Sequence, residues 1–413
     1  MKYGCIGERL SHSFSREIHT ALSDHEYELK EITRDELSAF LEAKEFCAIN
    51  VTIPYKEAVI PHLYSIDEAA RKIGAVNTIV NKEGRLFGYN TDFYGMTELL
   101  SHAGVSVQDK KVAILGSGGT AKTARAVCES LGAREVLTVS RREREGAIDY
   151  LSLYEHHNDT EVIINTTPVG MYPEPYEASL DISNFGRLSG VIDAIYNPLR
   201  TELVLSARER RIPAEGGLYM LVAQAVRASE IFLDTSYPIG TTEKVYEDIL
   251  REKESLVLIG MPGSGKSTVA TLLGERLSRE VCDTDELIVK RCKKDITTIF
   301  SEDGEAAFRD IEAEVIKQTS ISGGRIISTG GGAILREANV MALKMNGKVY
   351  FLDRPRDELV PTEDRPLATT REMIYKRYDE RYAKYVGAAD RIIKIDCPAD
   401  EVAQRIYNEN LRT

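Results

Sequence analysis

The chain has 413 residues and a formal charge of −12, too long for one ordinary core, so two or three domains are expected. Its charges form no long block of one sign, which argues against a nucleic-acid surface or a polybasic membrane anchor, and no stretch approaches the ~18 apolar residues of a membrane span. Six cysteines without a Cys-x-x-Cys pair read as reduced cytoplasmic thiols rather than a disulfide frame or zinc site, and seven histidines confined to the first 157 residues deny the C-terminal half a histidine base.

Strand-like and helix-like runs alternate almost throughout, as in α/β folds with parallel sheets. Tyr3 to Gly7 reads as a strand, 15–23 as a helix and Ala48 to Ile53 as a strand stopped by Pro54, with Tyr55-Lys56 opening a helix. Ala75 to Val80 and Leu86 to Asn90 read as strands paired across the turn Asn81-Lys82-Glu83-Gly84. Lys56 after a fixed turn and Asp92 after Tyr89-Asn90-Thr91 are a plausible proton-transfer pair for carbonyl–alcohol chemistry. Taken singly, each is more often a surface residue.

Near residue 105 the character changes. Lys111 to Leu115 is a strand, Thr120 to Leu131 an Ala-rich helix and Glu135 to Val139 the next strand, a βαβ unit. Its first turn, Gly116-Ser117-Gly118-Gly119-Thr120-Ala121, fits the dinucleotide fingerprint with Ala in third place. The second strand ends in Ser140-Arg141-Arg142 rather than in an acid. Guanidiniums there suit a 2′-phosphate, so NADP is the expected cofactor; the alternative is a solvated loop face. Residues 216–250 read as helical and 251–255 as a charged, solvated connector.

A second α/β unit starts at the apolar run Leu256 to Ile259 and leads into Gly260-Met261-Pro262-Gly263-Ser264-Gly265-Lys266-Ser267. Glycines there let backbone N–H groups and a helix N-terminus face phosphate oxygens. Lys266 adds a point charge, and Ser267 a hydroxyl for Mg²⁺. Gly263, Gly265, Ser267 and Thr268 are the expected ATP contacts. Asp283-Thr284-Asp285 follows a probable strand; one carboxylate could help hold the metal and the other accept a hydroxyl proton, unless both merely favour a helix N-terminus. Arg309 and Glu312 share a helix face, where a surface ion pair is the plain alternative. Gly330-Gly331-Gly332 would let backbone approach a small ligand, and the loop from Pro361 to Ala368 could close over ATP.

Seven segments in order resemble the signatures of shikimate dehydrogenase over residues 1 to about 245: His12-Ser13-Phe14-Ser15, Asn50 to Lys56, Gly74 to Thr78, Gly88 to Asp92, Asn165 to Met171, Asp193 to Pro198 and Met220 to Ala225. The resemblance implies Lys56 as acid/base paired with Asp92, Ser13 and Ser15 on the substrate carboxylate, and Thr52, Asn77, Asp92 and Gln224 on the ring hydroxyls. Tyr196 would lie near the carboxylate, and Gly116, Gly118, Gly119, Arg141 and Gly217 would contact NADP. The P-loop, Asp283-x-Asp285, Phe308-Arg309, Gly330 to Gly332, Asp364 to Leu367 and Arg381 before Tyr385 resemble shikimate kinase over 256 to about 395. That implies Lys266 on the phosphates, Asp285 as proton acceptor, Arg309 and Arg381 on the carboxylate, Gly331 and Gly332 lining the pocket, Arg365 on a lid, and Ser267 with Asp283 on Mg²⁺. Leu359 to Thr362 lacks an arginine common in such kinases.

The expected layout is α/β throughout. A substrate domain (1–104, completed by helices around 218–250) and a Rossmann NADP domain (105–217) precede a 251–255 linker and a P-loop kinase domain (256–413) with a parallel sheet flanked by helices. The expected activity reduces 3-dehydroshikimate and phosphorylates the product. A quinate dehydrogenase fused to another small-polyol kinase is the alternative. The expected partners are small molecules, without nucleic acid or membrane.

Overall fold

The computed structural model describes residues 1–8, 10, 14–141, 145–359 and 370–411. The chain divides into two compact units: Met1–Met171 with Glu177–Asn197 and Leu203–Ile249, and Tyr172–Tyr176 with Pro198–Glu202 and Leu250–Thr413.

The first unit contains two sheets. In the six-stranded one, Tyr3–Gly7 lies between Tyr27–Glu31 and Ala48–Val51, parallel to both. Thr78–Lys82 and Arg85–Tyr89 continue it as the expected antiparallel pair, and Ser65–Ile66 ends it. The other sheet has five parallel strands in the order Ala214–Glu215, Gly190–Asp193, Val162–Asn165, Lys111–Leu115, Glu135–Val139. Val112, Ala113, Ile114 and Leu115 are all fully buried, as strands covered by helices on both faces require. After Lys111–Leu115 the chain steps to one neighbour and then returns to the other side. A crevice therefore opens at this strand's C-terminal end, where α/β sheets bind ligands.

The second unit repeats that logic. Its five parallel strands run Val281–Asp283, Ile326–Ser328, Ser255–Ile259, Gly347–Asp353, Arg391–Lys394. The strand before the phosphate loop is central, and Leu256, Val257, Leu258 and Ile259 are all fully buried. The architecture is α/β with parallel sheets flanked by helices.

Three local expectations change. Tyr55-Lys56 does not open a helix; turns lead to a 3₁₀ segment at Ile60–His62. The Lys56 carbonyl is taken by the Val76 N–H at 2.8 Å, and the Tyr55 hydroxyl donates to the Ile32 carbonyl at 2.6 Å; these long-range bonds win over local helix. The span 216–250 is two helices, Leu218–Leu233 and Thr241–Lys253, the first ended by Asp234 at φ 51°. Residues 251–255 are not a solvated connector. The helix runs to Lys253, the strand starts at Ser255, and Glu254 is buried in an ion pair with Arg200.

Candidate active sites

In the first unit, a turn and a helix N-terminus meet beside the six-stranded sheet. Lys56 Nζ lies 2.6 Å from Asp92 Oδ2, with the lysine side chain 18% and the carboxylate 5% exposed. Asp92 is the first residue of the helix Asp92–His102, where the helix dipole favours a carboxylate. Asn77 Nδ2 donates to the other oxygen, Oδ1, at 2.8 Å, and its own Oδ1 accepts from the Thr91 N–H at 2.8 Å. Asn50 Nδ2 donates to the Asn77 carbonyl at 3.3 Å, and the Tyr27 hydroxyl donates to Asn50 Oδ1 at 2.7 Å. The carboxylate is thus fixed on both oxygens, and the lysine side chain that meets it stays partly exposed. Such a pair can pass a proton to a carbonyl oxygen and be recharged from solvent.

The other candidate substrate residues lie on elements of the same unit. Thr52 follows the strand Ala48–Val51 and presses its methyl toward Gly7, where a Cβ would come within 2.6 Å. Ser15 opens the helix Ser15–Leu22, and the preceding Phe14 meets Tyr196 edge-on at 5.2 Å. Burial pushes the Tyr196 hydroxyl up to about 12. Gln224 lies on Leu218–Leu233, and its buried Oε1 has no hydrogen-bond partner among the described residues. That helix presses on Gly95, one turn past Asp92: a Cβ there would lie 2.7 Å from the Met220 carbonyl and 3.0 Å from Gln224 Cβ. An orphan amide oxygen held so is ready for a ligand hydroxyl. Ser13 lies outside the described residues.

The dinucleotide turn has the expected form. Gly116 takes φ 109°, with Thr166 Oγ1 2.7 Å from where its Cβ would be. Gly118 and Gly119 have open space on that side, at the start of the helix Gly119–Ser130. Open backbone at a helix N-terminus suits a pyrophosphate. Arg141 is exposed just past Glu135–Val139, placed for a 2′-phosphate, while Arg142 lies outside the described residues. Gly217 caps Leu218–Leu233, and a Cβ would strike the Ala194 carbonyl at 2.2 Å.

The second unit holds a cavity of about 490 Å³. Gly263, Gly265, Lys266, Ser267 and Thr268 form one wall. Gly263 and Gly265 take φ 80° and 92°, and Lys266 begins the helix Lys266–Leu277 with its ammonium 3.0 Å from the Gly260 and Met261 carbonyls. Asp283 Oδ2 accepts from Ser267 Oγ at 2.8 Å and from Ser328 Oγ at 2.9 Å, while Oδ1 accepts from the Asp285 N–H at 3.0 Å. Asp283 thus caps the helix Thr284–Cys292 and also touches Ser267 of the phosphate loop. A hydroxyl beside one carboxylate fits Mg²⁺, which keeps most of its waters.

Opposite stand the three glycines. A Cβ at Gly330 would lie 2.5 Å from Asp285 Oδ1, at Gly331 2.8 Å from Pro262, and at Gly332 2.0 Å from Arg309 Nη1. Arg381 Nη1 and the Tyr385 hydroxyl both donate to the Gly331 carbonyl, at 3.0 and 2.5 Å. Arg309 pairs with Glu312 at 2.7 Å, with side chains 11% and 1% exposed, so this is an interior pair and not a surface one. Burial raises the Glu312 carboxyl above its usual value, with Arg309 opposing. Asp364, Arg365 and the loop around them lie outside the described residues.

Sequence reasoning did not single out Asn50, Tyr27, Ser328 or Arg377. The first three act through hydrogen bonds between elements, which no local spacing reveals. Arg377 lines the cavity, yet it stands in a run of charged residues that reads as a solvated helix face.

A shikimate kinase family model matches residues 262–410, and a model of the shikimate dehydrogenase substrate-binding domain matches residues 5–79. The NADP-dependent shikimate dehydrogenase of Clostridium perfringens is 36% identical over 265 residues, 60% of this chain and 97% of that protein. The solved shikimate dehydrogenase 1 of Peptoclostridium difficile is 34% identical with a TM-score of 0.56, over 60% of this chain and 98% of its own. A Thermus thermophilus shikimate dehydrogenase solved with NADP(H) and shikimate is 26% identical with a TM-score of 0.55, over 60% and 99%. The chain therefore belongs to the shikimate dehydrogenase family over its first 60% and carries a shikimate kinase domain behind it, an enzyme of two activities.

Proposed function

We propose that the first unit reduces 3-dehydroshikimate to shikimate with NADPH and that the second phosphorylates the hydroxyl so made, with MgATP. Residues 1–104 and the helices around 218–250 form the substrate side of the first unit, and 105–217 the NADP side. Bound NADPH supplies the hydride to C3. Lys56 holds a proton at the carbonyl oxygen, and Asp92 orients the ammonium. Ser13, Ser15 and Tyr196 take the substrate's carboxylate; Thr52, Asn77 and Gln224 take its hydroxyls. Arg141 beside the glycine turn accounts for the phosphorylated cofactor.

In the second unit Lys266 and the loop N–H groups grip phosphate oxygens, and Arg365 is read as their lid cation. Ser267 and Asp283 would hold Mg²⁺, which would offset phosphate charge. Asp285 accepts the proton of the attacking hydroxyl, while Arg309 and Arg381 hold the acid end. The observation that carries the reading is the cavity that joins a phosphate loop, a carboxylate base and arginines, in a chain whose other unit belongs to a family acting on shikimate.

The test supplies 3-dehydroshikimate, NADPH and MgATP together and follows NADPH absorbance and ADP release. One ADP per NADPH is expected; quinate with NAD turning over faster would instead favour the polyol alternative. Lys56→Ala should lower reduction by about 10²–10⁴-fold yet leave phosphorylation of added shikimate intact. Lys266→Ala should do the reverse.

A further inference from the structure

One cation in the second unit's cavity has no task in the scheme above. Arg377 and Arg381 stand one turn apart on the helix Arg371–Ala388, so they share a face, and both line the cavity. Like charges at this spacing disfavour the helix, and Arg309 adds a third cation to the same cavity. Arg309 and Arg381 each have a partner, although Arg309 Nε is also buried without one among the described residues. Arg309 pairs with Glu312 at 2.7 Å and Glu305 at 3.2 Å, and Arg381 donates to the Gly331 carbonyl at 3.0 Å. Arg377 Nη1 is shut off from solvent with no hydrogen-bond partner among the described residues. A buried cationic N–H without an acceptor is costly, and the nearby positive charges of Arg381 and Arg309 deepen that cost. Arg377 shares its helix face with Arg381, which bonds the Gly331 carbonyl, and Arg309 packs against Gly332. The missing acceptor is therefore placed with the three glycines and Asp285, on the alcohol side of the cavity, where Glu305 and Glu380 partly offset the two neighbouring arginines.

We propose that Arg377 binds the carboxylate of the phosphoryl acceptor alongside Arg381, and so sets the preference for an acidic alcohol over a neutral one. The proposal rests on the shikimate kinase reading. The test measures phosphorylation of shikimate and of shikimate methyl ester by the full chain and by Arg377→Gln and Arg377→Lys, with the circular dichroism spectrum and an unchanged KM for ATP as the folding controls. In Arg377→Gln the KM for shikimate should rise about 10- to 100-fold, the loss expected for one charged hydrogen bond. The KM for ATP should move less than twofold, and the preference for shikimate over its ester should shrink. Arg377→Lys should restore part of the affinity. A KM for shikimate within twofold of the original, or a rise in the KM for ATP instead, overturns the proposal while the kinase reading stands. An unaltered protein that does not phosphorylate shikimate overturns both.

Discussion

At Gly332 a single hydrogen faces Arg309, and at Gly330 another faces Asp285. Gly332 has φ −107° and ψ −4°, which alanine tolerates, so the nearest obstacle to a methyl there is the guanidinium 2.0 Å away. Gly332→Ala should push Arg309 off Glu312 and raise the KM for shikimate about tenfold or more, as loss of a charged contact does. Gly330→Ala meets the Asp285 carboxylate at 2.5 Å instead and should lower kcat more than it changes KM. Steady-state kinetics on the two variants separate these outcomes; identical effects would mean that the glycines do not face distinct groups. Single-residue chemistry was largely readable beforehand, because phosphate loops and glycine runs need those residues at those spacings. Their partners were less so. The pairing of Arg309 with Glu312 was visible as i, i+3, but its burial depends on what another element lays over it.

Between elements, the contact that positions the first site is the crossing of Asp92–His102 and Leu218–Leu233. Gly95 permits it, since its missing Cβ would sit 2.7 Å from a backbone carbonyl. Gly95→Ala should destabilise the first unit by about 1–3 kcal/mol, as overpacking does, and should lower dehydrogenase activity while phosphorylation of added shikimate persists. Thermal unfolding read through each activity tests this. A second element-scale prediction concerns pH. His19, on Ser15–Leu22, stacks on Tyr27 at 3.9 Å, and burial lowers its imidazole to about 3. The native site resists the proton that the unfolded chain accepts near 6.5, so this contribution is complete above pH 6.5 and fades as pH falls toward 3. The loss should be about 2 kcal/mol by pH 5, and His19→Phe should flatten that slope in denaturant titrations. A steep slope unchanged in the variant would assign it to other groups. Strands in the parallel sheets were legible because full burial writes continuous apolar runs. The turn at Tyr55-Lys56 was not, because bonds to Ile32 and Val76 decide it.

For the whole molecule, each unit has its own sheets and its own buried clusters. Independent chemistry follows: saturating MgATP should leave the KM for NADPH unchanged within about twofold, and initial-rate measurements with and without nucleotide check it. The alternation of strands and helices announced α/β architecture from the sequence, and the two glycine turns marked the ends of the strands Lys111–Leu115 and Ser255–Ile259. The break at 234–240 and the burial of Glu254 were hidden, since both depend on packing distant in the chain. The return of Leu218–Leu233 to the first site also matters while the protein is being made. Lys56 and Asp92 leave the ribosome long before Gln224 does, and until that late helix arrives, the apolar side chains of Met96, Leu99 and Leu100 have no cover from Met220 and Ala223. The nascent enzyme thus carries a sticky, half-built reductase through much of its translation, the state that chaperones screen most closely.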